Sequence, residues 1–410
     1  MRIGPPRIDR DELGTVYRVE VESQAGPAEL WFRVRDEHAD LISDRADAAL
    51  LALVLPAMAA GEDLHVEGRV AARLHHQLSG PFQAVMRHVV PSLRPIRIHA
   101  TDIDTPGSRA SGVATAFSGG VDSFAVLADH HYDDPPPGFR LTHLVFANVG
   151  SNGPAGNLLF HRRYDRLAPA VARMGLPFVA VDSNLMAFYG AVSFKHSYTV
   201  RNAAVSFLLQ RGIGRAYHAA GTVLGGPPPQ LPIKDIAYFD PEILPMLSTE
   251  ALDALWVGGE SKRVEKTLRV AEIEDSYTVL DVCVRNDRPG NCSTCKKCVR
   301  TLLTLEIAGL LDRYAEIFDL DAFRRRRHWR VARILRTGYM NSLEIRELAR
   351  ERGYRFPLRE RLIAWSRLDA LREWLIILGS RAARRGRRML GRERGREASS
   401  RLQNVTVTPT

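Results

Sequence analysis

Cysteine and long apolar runs are both scarce in this chain. Its 410 residues contain only four cysteines, and we expect no disulfide framework in a chain that shows no export signal. No stretch approaches the roughly 18 apolar residues of a membrane span, and the segment Trp374 to Leu378 is short and flanked by charges. The first residues also lack the apolar region of an export signal. We therefore expect a soluble, cytoplasmic protein with no membrane partner.

Length and patterning predict several domains. Residues 16–21 and 30–34 alternate apolar and polar side chains, as half-buried strands do, and predict a small α+β domain over residues 1–110. From Val113 onward strands and helices alternate, which predicts an α/β domain over residues 111–320, with a parallel sheet and helices on both faces. A helical extension is expected over residues 321–380.

Basic charge is concentrated at the end of the chain. Net charge is +10, and residues 381–401 hold nine arginines against two glutamates. We expect residues 381–410 to be a disordered, Arg-rich tail. Such a tail is either merely solvated, which we favour, or a contact for nucleic acid.

The predicted parallel strands place several polar residues where ligands bind. Strands are predicted at residues 113–117, 142–148, 178–182, 216–221 and 278–283. Open sheets of this type bind ligands beyond the carboxyl ends of their strands. Ser118, Asn148, Asp182 and Gly221 all stand at such ends. Asn148 and Asp182 are therefore candidates for nucleoside contacts, with loop capping as the alternative for each.

A glycine turn follows the first of these strands. The sequence Ser118-Gly119-Gly120-Val121-Asp122-Ser123 lies between an apolar strand and a helical pattern. Adjacent glycines let bare N–H groups approach a ligand, and two hydroxyls add donors, so the turn suits a phosphate group. Its spacing fits neither a Walker A loop nor the dinucleotide fingerprint.

All four cysteines fall within 16 residues, in the order C-x8-C-x2-C-x2-C. They are Cys283, Cys292, Cys295 and Cys298. Four thiolates on a short loop suit a closed tetrahedral Zn²⁺ site, while an iron–sulfur cluster is the alternative. If all four bind a metal, no cysteine remains for catalysis.

Together these motifs resemble a known family. The turn is similar to the SGGxDS loop of the PP-loop ATP pyrophosphatases. Within that superfamily, residues 112–311 resemble the 7-cyano-7-deazaguanine synthases of queuosine biosynthesis, which share the cysteine spacing. Those enzymes also carry an Arg-Asn pair at the start of a helix, matched here by Arg201 and Asn202.

The resemblance implies an AMP-forming, ATP-dependent C–N ligase. It would adenylate a small-molecule or protein-borne carboxylate with Mg²⁺-ATP, release pyrophosphate, and pass the acyl group to ammonia or an amine to give an amide or nitrile. It assigns Asp122, Ser123 and Arg201 to catalysis. The residues expected to bind ATP are Ser118, Gly119, Gly120, Val121, Asp122, Ser123, Asn148, Asp182 and Gly221.

Other interpretations stay open at this point. A PP-loop tRNA-modifying enzyme would use the basic tail to hold its substrate. A non-catalytic module would bind an adenylate or nucleic acid without releasing pyrophosphate. For Arg201 the alternative to a phosphate or carboxylate contact is a structural ion pair.

Residues 261–266 are predicted to form an exposed helical face with opposite charges three to four apart. A homodimer is compatible with the sequence.

Overall fold

The computed structural model describes residues 1–151, 156–285, 290–372 and 374. Residues 1–320 form one compact unit, and a second begins at Asp321. The predicted disordered tail, residues 381–410, and the last residues of the predicted helical extension lie outside the described residues. Within the part described, no helix combines the length and hydropathy needed to cross a bilayer.

Eleven described strands make a single sheet in the first unit. They are β1 (Arg2–Ile3), β2 (Arg7–Asp11), β3 (Gly14–Ser23), β4 (Gly26–Val34), β5 (Leu64–Ala71), β6 (Ile98–Asp104), β7 (Gly112–Ala116), β8 (His143–Ala147), β9 (Phe178–Ser183), β10 (Ile213–Ala219) and β11 (Asp253–Val257). Their order across the sheet is β11-β10-β7-β8-β9-β4-β3-β1-β5-β6, with β2 paired to β3.

Fourteen described α-helices accompany the strands. Ten lie in the first unit: α1 (Asp47–Ala60), α2 (Ala72–Ser79), α3 (Pro81–Val89), α4 (Val121–Leu127), α5 (Gly156–Arg173), α6 (Tyr198–Leu208), α7 (Asp240–Met246), α8 (Arg263–Val270), α9 (Ser276–Val279) and α10 (Lys296–Ile307). The other four are α11 (Leu320–Arg326), α12 (His328–Arg336), α13 (Met340–Glu351) and α14 (Leu358–Trp365).

The five strands from β11 to β9 form a parallel half-sheet, which confirms the α/β class predicted from residue 113 onward. Every pairing among them is parallel. Four of the five predicted strands are present, as β7 to β10, and β11 was not predicted. Because successive crossovers between parallel strands leave all carboxyl ends on one edge, the loops after these strands meet there.

The prediction of a fifth strand over residues 278–283 is wrong. Residues 276–279 form α9, and the main chain that follows pairs with a loop and a side chain. The Asp281 N–H donates to the carbonyl of Gly119 at 2.7 Å, and the Val282 N–H donates to Asn291 Oδ1 at 3.0 Å. Asn291 Nδ2 in turn donates to the carbonyl of Leu280 at 2.7 Å. These partners take the bonds that a neighbouring strand would otherwise provide.

The N-terminal region continues the same sheet. β4 pairs antiparallel with β9, with Phe32 opposite Ser183, and β3, β1, β5 and β6 extend the sheet from there. The two alternating segments predicted as strands are confirmed within β3 and β4. The boundary predicted near residue 110 thus falls inside a compact unit. α1, buried from Asp47 to Met58, packs on α6 and ties the N-terminal region to the parallel half.

Candidate functional site

The glycine turn lies between β7 and α4, so strand, turn and helix follow one another as predicted. Gly119 has φ +72°, and a Cβ there would lie 2.8 Å from Leu167 Cδ2, which explains why this position requires glycine. The Ser118 Oγ accepts from the Gly120 N–H at 3.4 Å, and the Ser123 hydroxyl donates to the Gly120 carbonyl at 3.0 Å. These contacts fix a tight turn at the carboxyl end of a central strand.

A two-lobed cleft opens over this turn. Ser118, Asp122 and Ser123 line both lobes, which have free volumes of about 220 and 240 Å³. We call the first the basic lobe. We call the second the aromatic lobe, since Phe117, Phe146, Phe194 and Tyr198 line it.

Cations surround the turn on the side of the basic lobe. Its lining includes Arg163, Arg263, Lys297 and Arg300. Four cationic side chains against two carboxylates give this small cavity a positive balance of charge, which favours an anionic ligand.

Asp122 is one of two carboxylates that line the basic lobe, and Asp281 is the other. Asp122 Oδ2 accepts a hydrogen bond from the Arg263 guanidinium at 2.7 Å, and Lys266 Nζ lies 3.7 Å from Asp122 Oδ1. Lys266 also donates to the Ala220 carbonyl at 2.9 Å, and burial lowers the pKa of its ammonium. Asp122 Oδ1 is buried and accepts no hydrogen bond from the described residues.

The aromatic lobe holds a buried carboxyl group, Asp240. It is 4% exposed, and Thr199 Oγ1 donates to its Oδ1 at 2.6 Å. Burial raises the pKa of Asp240 to about 7, and the nearby charges of Asp235 and Glu242 add to that shift. His218 lines the same lobe, and burial lowers its pKa to about 4, so its imidazole is neutral. This lobe therefore offers a proton acceptor close to neutral pH.

We expect Asp240→Asn to change how stability depends on pH. Because the folded-state pKa is above the unfolded value, the folded wild-type protein retains a proton that the unfolded chain releases between about pH 4 and 7. Stability of the wild type should fall across that window by up to about 1.4 kcal/mol per pH unit. The variant should lack that component of the slope, as measured by urea unfolding at a series of pH values. Parallel slopes for both proteins would contradict a raised pKa at Asp240.

The remaining predicted site residues lie outside the lining of both lobes. Asn148 Nδ2 donates to Asp182 Oδ1 at 2.7 Å, and the Ser183 N–H donates to the same oxygen at 2.9 Å, so the pair ties together the ends of β8 and β9. Gly221 lies just after β10, where an added Cβ would be 3.9 Å from the Tyr198 hydroxyl. The three positions border the cleft and support its loops.

Arg201 is 2% exposed, and its guanidinium already has partners within the fold. Its guanidinium donates to Ser197 Oγ and to the Val149 carbonyl, each at 2.9 Å, and lies 3.8 Å from the centre of the Tyr189 ring. These contacts make Arg201 a structural residue, with a hydroxyl and a carbonyl in place of the ion pair considered from sequence. Its neighbour Asn202 is the one that lines the aromatic lobe.

Sequence reasoning missed the cations next to Asp122. Residues 261–266 were predicted to be an exposed charged face, and that is wrong for Lys266, which is buried, and for Arg263, which binds Asp122. Both stand three residues apart on α8 and so share one face. That spacing was a usable signal, but nothing in the sequence places α8 beside the glycine turn.

The four cysteines form a cluster, as their spacing predicted. Their sulfur atoms all lie within 4.8 Å of one another, with Cys298 Sγ 3.5 Å from Cys295 Sγ and 4.0 Å from Cys292 Sγ. A tetrahedral ion with Zn–S bonds of about 2.3 Å separates its sulfurs by about 3.8 Å. The hydrogen bond with Cys298 lowers the pKa of the Cys295 thiol, which favours the thiolate that a metal ion binds. The cluster can thus hold a single metal ion such as zinc.

The cysteine cluster adjoins the basic lobe. Cys295 is the N-cap of α10, and the side chains of Lys297, Arg300 and Thr301 on this helix line the lobe, as does Cys283. On the other side of the cluster, Asp281 bonds to the glycine turn through the Gly119 carbonyl. Order in the cysteine loop therefore sets the position of cations in the lobe.

Fold and site together define an α/β protein whose parallel strands end at a two-lobed cleft beside a four-cysteine centre. No model of a protein family, no curated protein and no solved structure matches the chain.

Proposed function

We propose that this protein is an AMP-forming, ATP-dependent ligase that activates a carboxylate for C–N bond formation, as in the 7-cyano-7-deazaguanine synthases that its motifs resemble. The observation behind this proposal is the glycine turn, which shares Ser118, Asp122 and Ser123 between a cationic cavity and an aromatic one. A nucleotide needs both: a place for pyrophosphate and a place for the groups that react at the α-phosphorus.

The basic lobe suits the β- and γ-phosphates of ATP. Arg163, Arg263, Lys297 and Arg300 would balance their charge, and the turn's N–H groups would add hydrogen bonds. Asp122 Oδ1 accepts no hydrogen bond from the described residues, and the Lys266 ammonium lies 3.7 Å away, so this oxygen is the candidate ligand for a magnesium ion. Such an ion would neutralise charge on the pyrophosphate as it leaves.

The chemistry proposed needs no protein nucleophile. A substrate carboxylate oxygen attacks the α-phosphorus, the bond to the bridging oxygen of pyrophosphate breaks, and an acyl-adenylate and pyrophosphate form. Ammonia or an amine then attacks the acyl carbon, and AMP leaves as the amide forms. The attacking nitrogen must lose a proton, and Asp240, with a pKa of about 7, is a suitable acceptor in the aromatic lobe.

We expect the protein to convert ATP to AMP and pyrophosphate when it is given a suitable acid. The test incubates the full chain with ATP, Mg²⁺ and a panel of small carboxylic acids, with and without ammonium, and separates the nucleotides by ion-exchange chromatography. Formation of ADP and inorganic phosphate would refute the assignment. Tight ATP binding with no cleavage across the panel would instead support the non-catalytic module.

A further inference from the structure

The second unit buries half of its described carboxylates and exposes most of its arginines. Glu360 is buried and accepts a hydrogen bond from Arg327 Nε at 2.8 Å, while Asp369 pairs with Arg336 at 2.9 Å. Arg327 is buried with its partner, whereas Arg336 stays exposed at the surface. Among the described residues from 321 onward, twelve arginines are exposed against three exposed acids, namely Asp321, Glu347 and Glu351.

Helix α14 is apolar on the side that faces solvent. Its buried face carries Glu360 and Ile363, and the helix packs on α12 through that face. Leu358, Leu362 and Trp365, spaced i, i+4 and i+7, lie on the opposite face and are 66%, 53% and 85% exposed. A helix that buries a glutamate and exposes two leucines and a tryptophan has the pattern of an interaction surface.

Arginines border this apolar face on both sides. At 100° per residue, Arg359 and Arg361 fall on opposite flanks of the line through Leu358, Leu362 and Trp365, and both are exposed. A turn at Ser366 and Arg367, where Arg367 has φ +55°, ends α14, and the helical residues that follow expose Leu368, Leu371 and Trp374. Leucine and tryptophan on one face with arginine beside it is the composition of helices that lie in a membrane interface.

We infer that α14 and the helical residues after it form a docking surface for an anionic lipid bilayer, on which the protein binds peripherally. The apolar face would enter the boundary between headgroups and acyl chains, and the surrounding arginines would contact lipid phosphates. This surface departs from the sequence expectation of no membrane partner, and it does not depend on the proposed catalytic function.

Two other occupants fit the observations less well. A second copy of the chain on this face would bring the flanking arginines of the two α14 helices close together, and their like charges would repel. Nucleic acid would match the arginines and could stack on Trp365, but it offers nothing to cover Leu358 and Leu362. An anionic bilayer satisfies the charge and the apolar face at once.

The test measures binding of the full chain to phosphatidylcholine vesicles with and without an added phosphatidylglycerol fraction, by co-sedimentation at near-physiological ionic strength. The double variant Leu362→Ser/Trp365→Ser keeps every arginine. We expect it to lower partitioning onto the anionic vesicles at least about tenfold, because both side chains lose their burial in the interface. Leu224→Ser/Leu231→Ser is the matched control, since these leucines of the first unit are also exposed, and it should bind like the wild type.

Other results would overturn the inference. Failure of the wild type to bind the anionic vesicles, or equal binding by the wild type and the Leu362/Trp365 variant, would rule out the apolar face as the docking element. A dimer that the same variant dissociates in sedimentation equilibrium would assign the face to a second copy. Preference for a single-stranded RNA over the anionic vesicles, in direct competition, would assign the surface to nucleic acid.

Discussion

Replacement of Asp122 by asparagine is expected to lower pyrophosphate release by a factor on the order of 100 or more. Asp122 lies where both lobes meet, and the proposed role of its carboxylate is to hold the magnesium–pyrophosphate group as it leaves. Losing one charged contact that matters in the transition state costs about 3 kcal/mol, which corresponds to that factor. Pyrophosphate formation by the purified variant, with the acid that supports the highest wild-type rate, measures the effect.

The matched control for this substitution is Asp129→Asn. Asp129 is a carboxylate that lines a separate cavity together with Lys266, and it is not among the residues that line either lobe. It should keep pyrophosphate release within about threefold of wild type, as substitutions outside an active site usually do. An Asp122→Asn protein as active as this control would show that the glycine turn does not hold the reacting phosphates.

Replacement of Cys298 by serine is expected to remove the metal and to impair both stability and ATP binding. Cys298 is fully buried in the first turn of α10, next to Lys297 and two residues before Arg300. Losing a structural metal should cost on the order of 4 kcal/mol, or roughly 10 °C in Tm. ATP affinity should fall at least tenfold, because Lys297 and Arg300 on α10 would lose their fixed position in the basic lobe.

Three measurements check this expectation: elemental analysis of protein purified without oxygen, thermal unfolding, and ATP binding by calorimetry. The wild type should contain one zinc per chain, and Val284→Ser, an exposed change in the same loop, should match it in all three. Iron and labile sulfide near stoichiometry would refute the zinc site. A metal-free Cys298→Ser protein with wild-type Tm and ATP affinity would refute the link between the cysteine cluster and the basic lobe.

Local patterns identified the features that depend on neighbours in sequence. The alternation of strand-like segments with helical patterns from Val113 onward predicted β7 to β10, because each pattern is set by residues close together in the chain. The glycines at 119 and 120 predicted a turn that admits φ +72° at Gly119. Four cysteines within 16 residues predicted a cluster, because a loop that short keeps their sulfur atoms close together.

Features that depend on distant segments escaped sequence reasoning. Arg201 was expected at a phosphate or a carboxylate because its side chain suits one, but Val149 and Tyr189 enclose it in the fold. Residues 278–283 have the composition of a strand, yet Gly119 and Asn291 take up their hydrogen bonds. In both cases one partner, Val149 or Gly119, lies 50 residues or more away in the chain, and nothing in the local sequence indicates that contact.

The sequence by itself determined the α/β class of the half from residue 113 onward, the glycine turn and the cysteine cluster, because each is specified by residues close together in the chain. Only the tertiary structure decided that the N-terminal strands join the same sheet, that Arg163, Arg263, Lys297 and Arg300 meet at one lobe, and that Asp240 is buried opposite them across the turn. Those placements follow from which surfaces pack together, and packing is a property of the whole folded chain. Packing also sets the pKa values of Lys266 and Asp240, because burial and neighbouring charges shift them.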